Sequence, residues 1–192
     1  MSKIYTKKGD DGYTYTGGNQ REKKSSNTAK LVGCVDELHV SMGKCCTIFS
    51  ENFDENETYV LLQSLTEKCL DIGSIIYFIN DQKIKEAFKI LEEKFLNTTK
   101  NIEREIDTIV LPPLKEFITF SNCNLTSITL HETRTKIRQT ERLFVEWCEN
   151  KELPSNIILL TSCLNRLSDL YFILARKYNK EDQRRSQLHK IF

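Results

Sequence analysis

The sequence predicts an all-α protein, a bundle of five helices behind a polar N-terminal loop. Three observations carry this. Only seven glycines and three prolines are spread over 192 residues, too few for an all-β sandwich that needs a turn roughly every ten residues. Hydrophobic residues make up 39% of the chain, enough at this length to bury the core of one compact domain. Finally, Ile157, Leu160, Leu164, Leu167, Tyr171, Leu174 and Tyr178 alternate steps of three and four, the repeat of a helix buried along one face of an antiparallel bundle.

The elements follow in order. Residues 1–28 hold four of the seven glycines and many hydroxyls without helical periodicity, and are predicted to form a loop or short hairpin. From Lys30 the stripe Leu31, Val35, Leu38, Met42, Cys45 and Phe49 predicts a first helix. A polar break at 51–57 precedes a second helix over about 58–79, from Tyr59 through Leu65, Leu70 and Ile76. The charged stretch 83–110 gives a third, with Ile84, Phe88, Leu91, Phe95, Ile102, Ile106 and Ile109 inward, stopped by Pro112 and Pro113. A fourth runs from the polar segment Ser121–Asn124 to about Asn150, and the fifth starts near Pro154. The organisation is therefore a loop at 1–28, a bundle at 29–180 and a polar tail at 181–192.

Charge and cysteine usage narrow the function. With 28 Lys and Arg against 27 Asp and Glu, no global field points to nucleic acid or a membrane surface, and no run reaches the length of a membrane span. Seven cysteines without a C-x-x-C pair predict reduced thiols filling helix faces. Cytoplasm is the expected compartment, or the mitochondrial matrix had a presequence been removed.

On the fourth helix, the continuation of the core stripe reads Leu130, Arg134, Ile137, Glu141, Phe144 and Cys148. Arg134 and Glu141 thus stand where a purely structural bundle would put aliphatic residues, and Arg138 lies one turn beyond Arg134. Burying such groups costs several kcal/mol each by typical estimates unless they are paired or meet a ligand. One reading is a set of salt bridges, such as Arg138 with Glu141. The other is a polyphosphate site, with Asn165, Arg166 and Asp169 beside the fifth helix's stripe, and Asp36 and Glu37 on the first, orienting the guanidinium planes. YTKKGDDGYTYTGG adds glycines, hydroxyls, Lys7 and Lys8 that suit phosphate oxygens. It is no Walker A loop, and a merely mobile terminus is its plainer reading. His131, beside the core stripe, reads as structural.

Taken together, these segments resemble the PduO-type ATP:cob(I)alamin adenosyltransferases over Tyr5 to about Arg176. YTKKGDDGYT resembles that family's Y-T-[RK]-T-G-D-x-G-x-[TS] loop, Arg21 and Lys24 stand at its R-x-x-K, and GCVDEL is similar to G-T-V-D-E-L. LHETRTKIRQTERL is similar to L-H-x-A-R-x-x-x-R-R-A-E-R, and LNRLSDLYFILAR to L-N-R-L-S-D-x-L-F-x-L-A-R. The resemblance implies a trimer-forming five-helix bundle whose N-terminal loop binds nucleotide at each interface of a homotrimer. The reaction implied moves the 5'-deoxyadenosyl group of ATP to the cobalt of reduced cobalamin, giving adenosylcobalamin and triphosphate, with Mg2+ assisting.

By the same resemblance, Thr6, Lys7, Lys8, Gly9, Thr14, Tyr15, Lys24, Arg138, Gln139, Glu141, Arg142 and Asn165 would bind ATP. Arg134, held by Asp36, and Arg138 would serve catalysis, and no metal-ligating residue is assigned. Phe117 would cover the corrin. Because FITFSNCN replaces the family's F-x-L-P-G-G, Phe120 is a second candidate for that place. A cobalamin reductase and an adenosylcobalamin-dependent acceptor enzyme are the implied partners, with neither nucleic acid nor membrane. The alternative is a non-catalytic helical carrier that binds ATP or corrinoid without turnover.

Overall fold

The computed structural model describes residues 4–16, 20–52, 57–78, 82–114, 118–149 and 155–179. The loop contains a two-stranded antiparallel hairpin, β1 (Tyr13–Thr16) and β2 (Gln20–Lys23), in which Tyr13 faces Lys23 and Thr16 faces Gln20. Five helices follow: α1 (Asn27–Asn52), α2 (Glu57–Phe78), α3 (Gln82–Thr108), α4 (Leu125–Glu149) and α5 (Leu159–Lys177), the last entered through a 3₁₀ turn at Ser155–Ile158. The tail beyond 180 lies outside the described residues.

Local chemistry sets the helix ends. The Ser26 hydroxyl accepts from the Ala29 amide at 3.1 Å, so α1 begins three residues before the apolar stripe signals it. The Asn124 side chain caps α4 by accepting from Ser127 N at 2.8 Å, and its amide donates to Tyr178 O at 2.7 Å. One residue thereby starts α4 and fastens it to the end of α5. α3 stops at Thr108, four residues before Pro112, where Thr108 Oγ1 donates to Glu105 O at 2.7 Å and Ile109 N to Ile106 O at 3.1 Å.

The stripes of α1 and α5 are buried as predicted, with Leu31, Leu38, Met42, Phe49, Leu164 and Tyr171 fully inside. On α4 the buried row differs from the predicted one. Leu130, Ile137 and Phe144 are fully buried, but their companions are Thr133, Thr140 and Trp147, whereas Arg134, Glu141 and Cys148 are only partly buried. Both rows alternate three and four around the same three apolar residues, and α4 turns the hydroxyl row toward α1. Ser41 and Thr133 oxygens meet at 2.7 Å, Cys45 Sγ lies 3.2 Å from Thr133 Oγ1, Cys34 Sγ lies 3.3 Å from Thr140 Oγ1, and Trp147 Nε1 donates to Thr28 Oγ1 at 3.2 Å. Each hydroxyl is satisfied by a short partner across the seam, so burying it costs little. The rim of this seam carries two ion pairs, Lys44–Glu132 at 2.9 Å and Lys136–Glu37.

Candidate active site

The loop before β1 is folded by its own side chains. Asp11 pairs with Arg21 and accepts from the Tyr13 amide at 3.2 Å, while the Arg21 guanidinium lies 4.4 Å from the centre of the Tyr13 ring. Lys7 has φ 59°, a left-handed conformation that costs a lysine energy and tends to persist at functional turns. Gly12 has φ 82°, its carbonyl accepts from Lys24 N at 2.9 Å, and a Cβ at Gly9 would stand 3.3 Å from Lys24 Nζ. The loop thus bends until Gly9 and Lys24 touch. Lys7, Lys8 and Lys24 are left exposed, with no carboxylate partner among the described residues. Thr6, whose Oγ1 accepts weakly from Lys8 N at 3.5 Å, is exposed beside them, as is Tyr15, while Thr14 is half-buried.

α4 sorts its cations by face. Its one lysine, Lys136, is paired with Glu37, but Arg134, Arg138 and Arg142, successive turns of one row, form no ion pair among the described residues. The salt bridge between Arg138 and Glu141 allowed by their spacing does not form. Arg134 is half-buried, its Nε has no hydrogen-bond partner, and its guanidinium lies 5.5 Å from the Phe172 ring centre. Burial, and then the positive charge of Arg138, depress its pKa. Like charges four apart destabilise a helix, so this row stores repulsion that an anion would relieve. Arg138, Gln139 and Arg142 are exposed. Beside them the half-buried Glu141 accepts from Asn165 Nδ2 at 3.3 Å through Oε1, joining α4 to α5.

Asp36 does not orient Arg134 within one chain. Cys34 and Ser41 face α4, and Asp36 lies roughly 200° round α1 from Cys34 at 3.6 residues per turn. It is exposed on an apolar groove of about 490 Å³ between α1 and α2, with Val35, His39, Leu70 and Tyr77. Glu37 is taken by Lys136. Sequence reasoning missed that α4 meets α1 through hydroxyls and thiols. Trp147, a large apolar residue in the row of Thr133 and Thr140, was the available signal.

At the other end of the arginine row lies an aromatic cluster. The His131 ring is buried 4.7 Å from the Phe120 ring and 5.9 Å from that of Phe172. Phe172 is flanked by two guanidiniums, for Arg176 lies 6.0 Å from its centre and donates to Pro112 O at 2.5 Å. Phe120 is 42% exposed. Phe117 lies outside the described residues.

Burial, and then Arg134, hold the His131 pKa down to about 4 from an ordinary 6.5. The unfolded chain therefore binds a proton between those values that the folded chain refuses. Stability is expected to be full above pH 6.5 and to fall by on the order of 2 to 3 kcal/mol as pH drops toward 4. Thermal melts across that window should show a shallower slope for His131→Gln than for the wild type, and equal slopes would rule the assignment out.

Comparison with known proteins follows the same outline. Residues 4–178 match the family described as Cobalamin adenosyltransferase. The corrinoid adenosyltransferase of Bacillus subtilis is 30% identical over 179 residues, covering 92% of this chain and 86% of that protein. The human corrinoid adenosyltransferase MMAB is 32% identical over 179 residues, covering 92% and 68%. In three dimensions, a variant of the PduO-type ATP:corrinoid adenosyltransferase of Lactobacillus reuteri, complexed with cobalamin and ATP, superposes with a TM-score of 0.80 at 26% identity, covering 96% of this chain and 99% of that one.

Proposed function

We propose a residue-level reading of the site that starts from membership: this chain belongs to the cobalamin adenosyltransferase family. It is an enzyme that adenosylates a corrinoid at the expense of ATP, with ATP and cobalamin as its substrates. Cobalt in its reduced state is the nucleophile, so the protein need not supply one. The electron pair on cobalt forms the bond to C5', the C5'–O5' bond breaks, and triphosphate departs with that oxygen.

The remaining tasks are orientation and anion stabilisation, and the observation that carries the reading is the uncompensated row Arg134, Arg138 and Arg142. In this proposal Arg138, Gln139 and Arg142 take the phosphates, together with Thr6, Lys7, Lys8, Gly9 and Lys24 of the loop. Thr14 and Tyr15 of β1 complete the pocket with Asn165. Glu141, whose Oε1 accepts from Asn165 Nδ2, would bind ATP beside them, and magnesium, where bound, would be held chiefly through the phosphates. Phe120, packed on His131 and 42% exposed, is placed to cover the corrin, with Phe117 the other candidate.

Among the described residues neither Arg134 nor Asp36 has an ion-pair partner, and the two lie on different faces, which supports a homotrimer in which they pair between copies. Asp36→Asn is then expected to lower kcat roughly tenfold, about 1.4 kcal/mol, between the worth of an exposed and a buried pair. Its melting temperature as a subunit should hold, since the side chain is exposed. Wild-type kinetics in that variant would refute the pair.

The activity itself is tested by an anaerobic assay with ATP, magnesium and chemically reduced cobalamin, following the absorbance change as the cobalt–carbon bond forms. Absence of conversion by folded protein would leave only a carrier. All seven cysteines are free, which suits a reducing compartment such as the cytoplasm. No helix among the described residues is long and apolar enough to cross a membrane. A reductase that delivers the low-valent cobalt and an acceptor that takes the product are the partners this chemistry calls for.

A further inference from the structure

The geometry points to Arg166 as a positioning residue that fixes which way the Asn165 amide faces and thereby holds the Glu141 carboxylate for ATP. Arg166 Nη2 donates to Asn165 Oδ1 at 2.8 Å, and Asn165 Nδ2 donates to Glu141 Oε1 at 3.3 Å. A guanidinium can only donate and an ionised carboxylate can only accept. The carbonyl of Asn165 must therefore face α5's own arginine and its NH2 must face α4. Neither end of the relay tolerates the flipped amide.

The guanidinium is itself held from two further directions. Asp169 Oδ2 accepts from Nη1 at 2.6 Å, and Glu103 Oε1 lies 3.8 Å from Nε. Glu103 is on α3, so a helix that supplies no ligand in the proposed site still reaches it. Side-chain exposures of 40%, 47% and 51% for Arg166, Asp169 and Glu103 make these pairs weak stabilisers of the fold. Their contribution is direction. Without Arg166 the amide is free to turn its carbonyl toward Glu141, setting acceptor against acceptor and displacing the carboxylate.

This inference rests on the proposed placement of Asn165 and Glu141 in the nucleotide site, and steady-state kinetics with varied ATP and saturating reduced cobalamin separates the two. Because the pair holds ATP alike in the ground and transition states, Arg166→Leu is expected to raise KM for ATP about tenfold with kcat changed less than about threefold. Arg166→Lys, which keeps one donor for Asn165 Oδ1, should recover part of the loss. Asn165→Ala should raise KM by a similar factor, and the double variant should be no worse than Asn165→Ala alone, as members of one relay are not additive. A wild-type KM in Arg166→Leu beside a raised KM in Asn165→Ala would overturn the relay, as would full additivity in the double variant. A wild-type KM in Asn165→Ala would instead overturn the nucleotide site, and the relay with it. Should Arg166→Leu not fold, Asp169→Asn leaves the guanidinium present but loosely held and must still raise KM roughly two- to fivefold, the effect of weakening one charged hydrogen bond; an unchanged KM there rejects the role.

Discussion

Arg134→Ala is expected to lower kcat for adenosylation by roughly 10²- to 10³-fold, the loss typical when one preorganised donor to a developing anion is removed. The same variant should, as an isolated subunit, melt within a few degrees of the wild type. The two expectations come from one fact: Arg134 Nε is buried without a partner, which costs the resting fold about 1 to 3 kcal/mol. Truncation removes that cost while sacrificing the stack on Phe172, worth on the order of 1 kcal/mol, so stability nearly cancels. The anaerobic absorbance assay gives the rate, and a thermal melt of the same sample gives the stability. A variant with a normal rate would show that the guanidinium serves the fold alone. A variant that unfolds would show the same through its melt.

Trp147→Ala is expected to have the largest effect on stability, about 3 to 5 kcal/mol. The side chain is 1% exposed, packs near Phe144, and donates Nε1–H to Thr28 at 3.2 Å. Truncation leaves a cavity of indole size and deprives the Thr28 hydroxyl of that donor. Because Thr28 lies just after the hairpin, the same change should loosen the root of the N-terminal loop and, on the proposed reading of that loop, weaken nucleotide binding in whatever protein remains folded. Chemical denaturation measures the first effect and titration with ATP the second. A loss below about 1 kcal/mol would contradict a fully packed indole.

The bundle was legible in the sequence because its helices bury apolar side chains at helical spacing, and periodicity needs no knowledge of the partner. Leu31 to Phe49 and Ile157 to Tyr178 announced themselves this way. α4 was legible only in part. Leu130, Ile137 and Phe144 belong equally to a row with Arg134 and Glu141 and to a row with Thr133 and Thr140, and spacing cannot choose between them. The choice depends on Cys34, Ser41 and Cys45, 88 to 106 residues away, whose hydroxyls and thiols make threonine a good core residue there. The arginines, expected in the core stripe, stand on a rim, where repulsion rather than full burial is the energetic signal. The pairing of Asp36 with Arg134 was expected from the family resemblance and not from spacing, and within one chain Asp36 lies instead on the groove between α1 and α2.

The hydroxyl seam behind α4 also acts as an index mark. A greasy interface accepts neighbouring registers at similar energy, whereas Thr133 and Thr140 find their partners in one register only. A slip of one residue would advance α4 by about 1.5 Å and rotate it by about 100°. In-line transfer suffers from misplacements of about 1 Å. The notches at 133 and 140 lie one residue from Arg134 and Glu141, so the buried side of the helix gauges the placement of those two proposed site residues against α1.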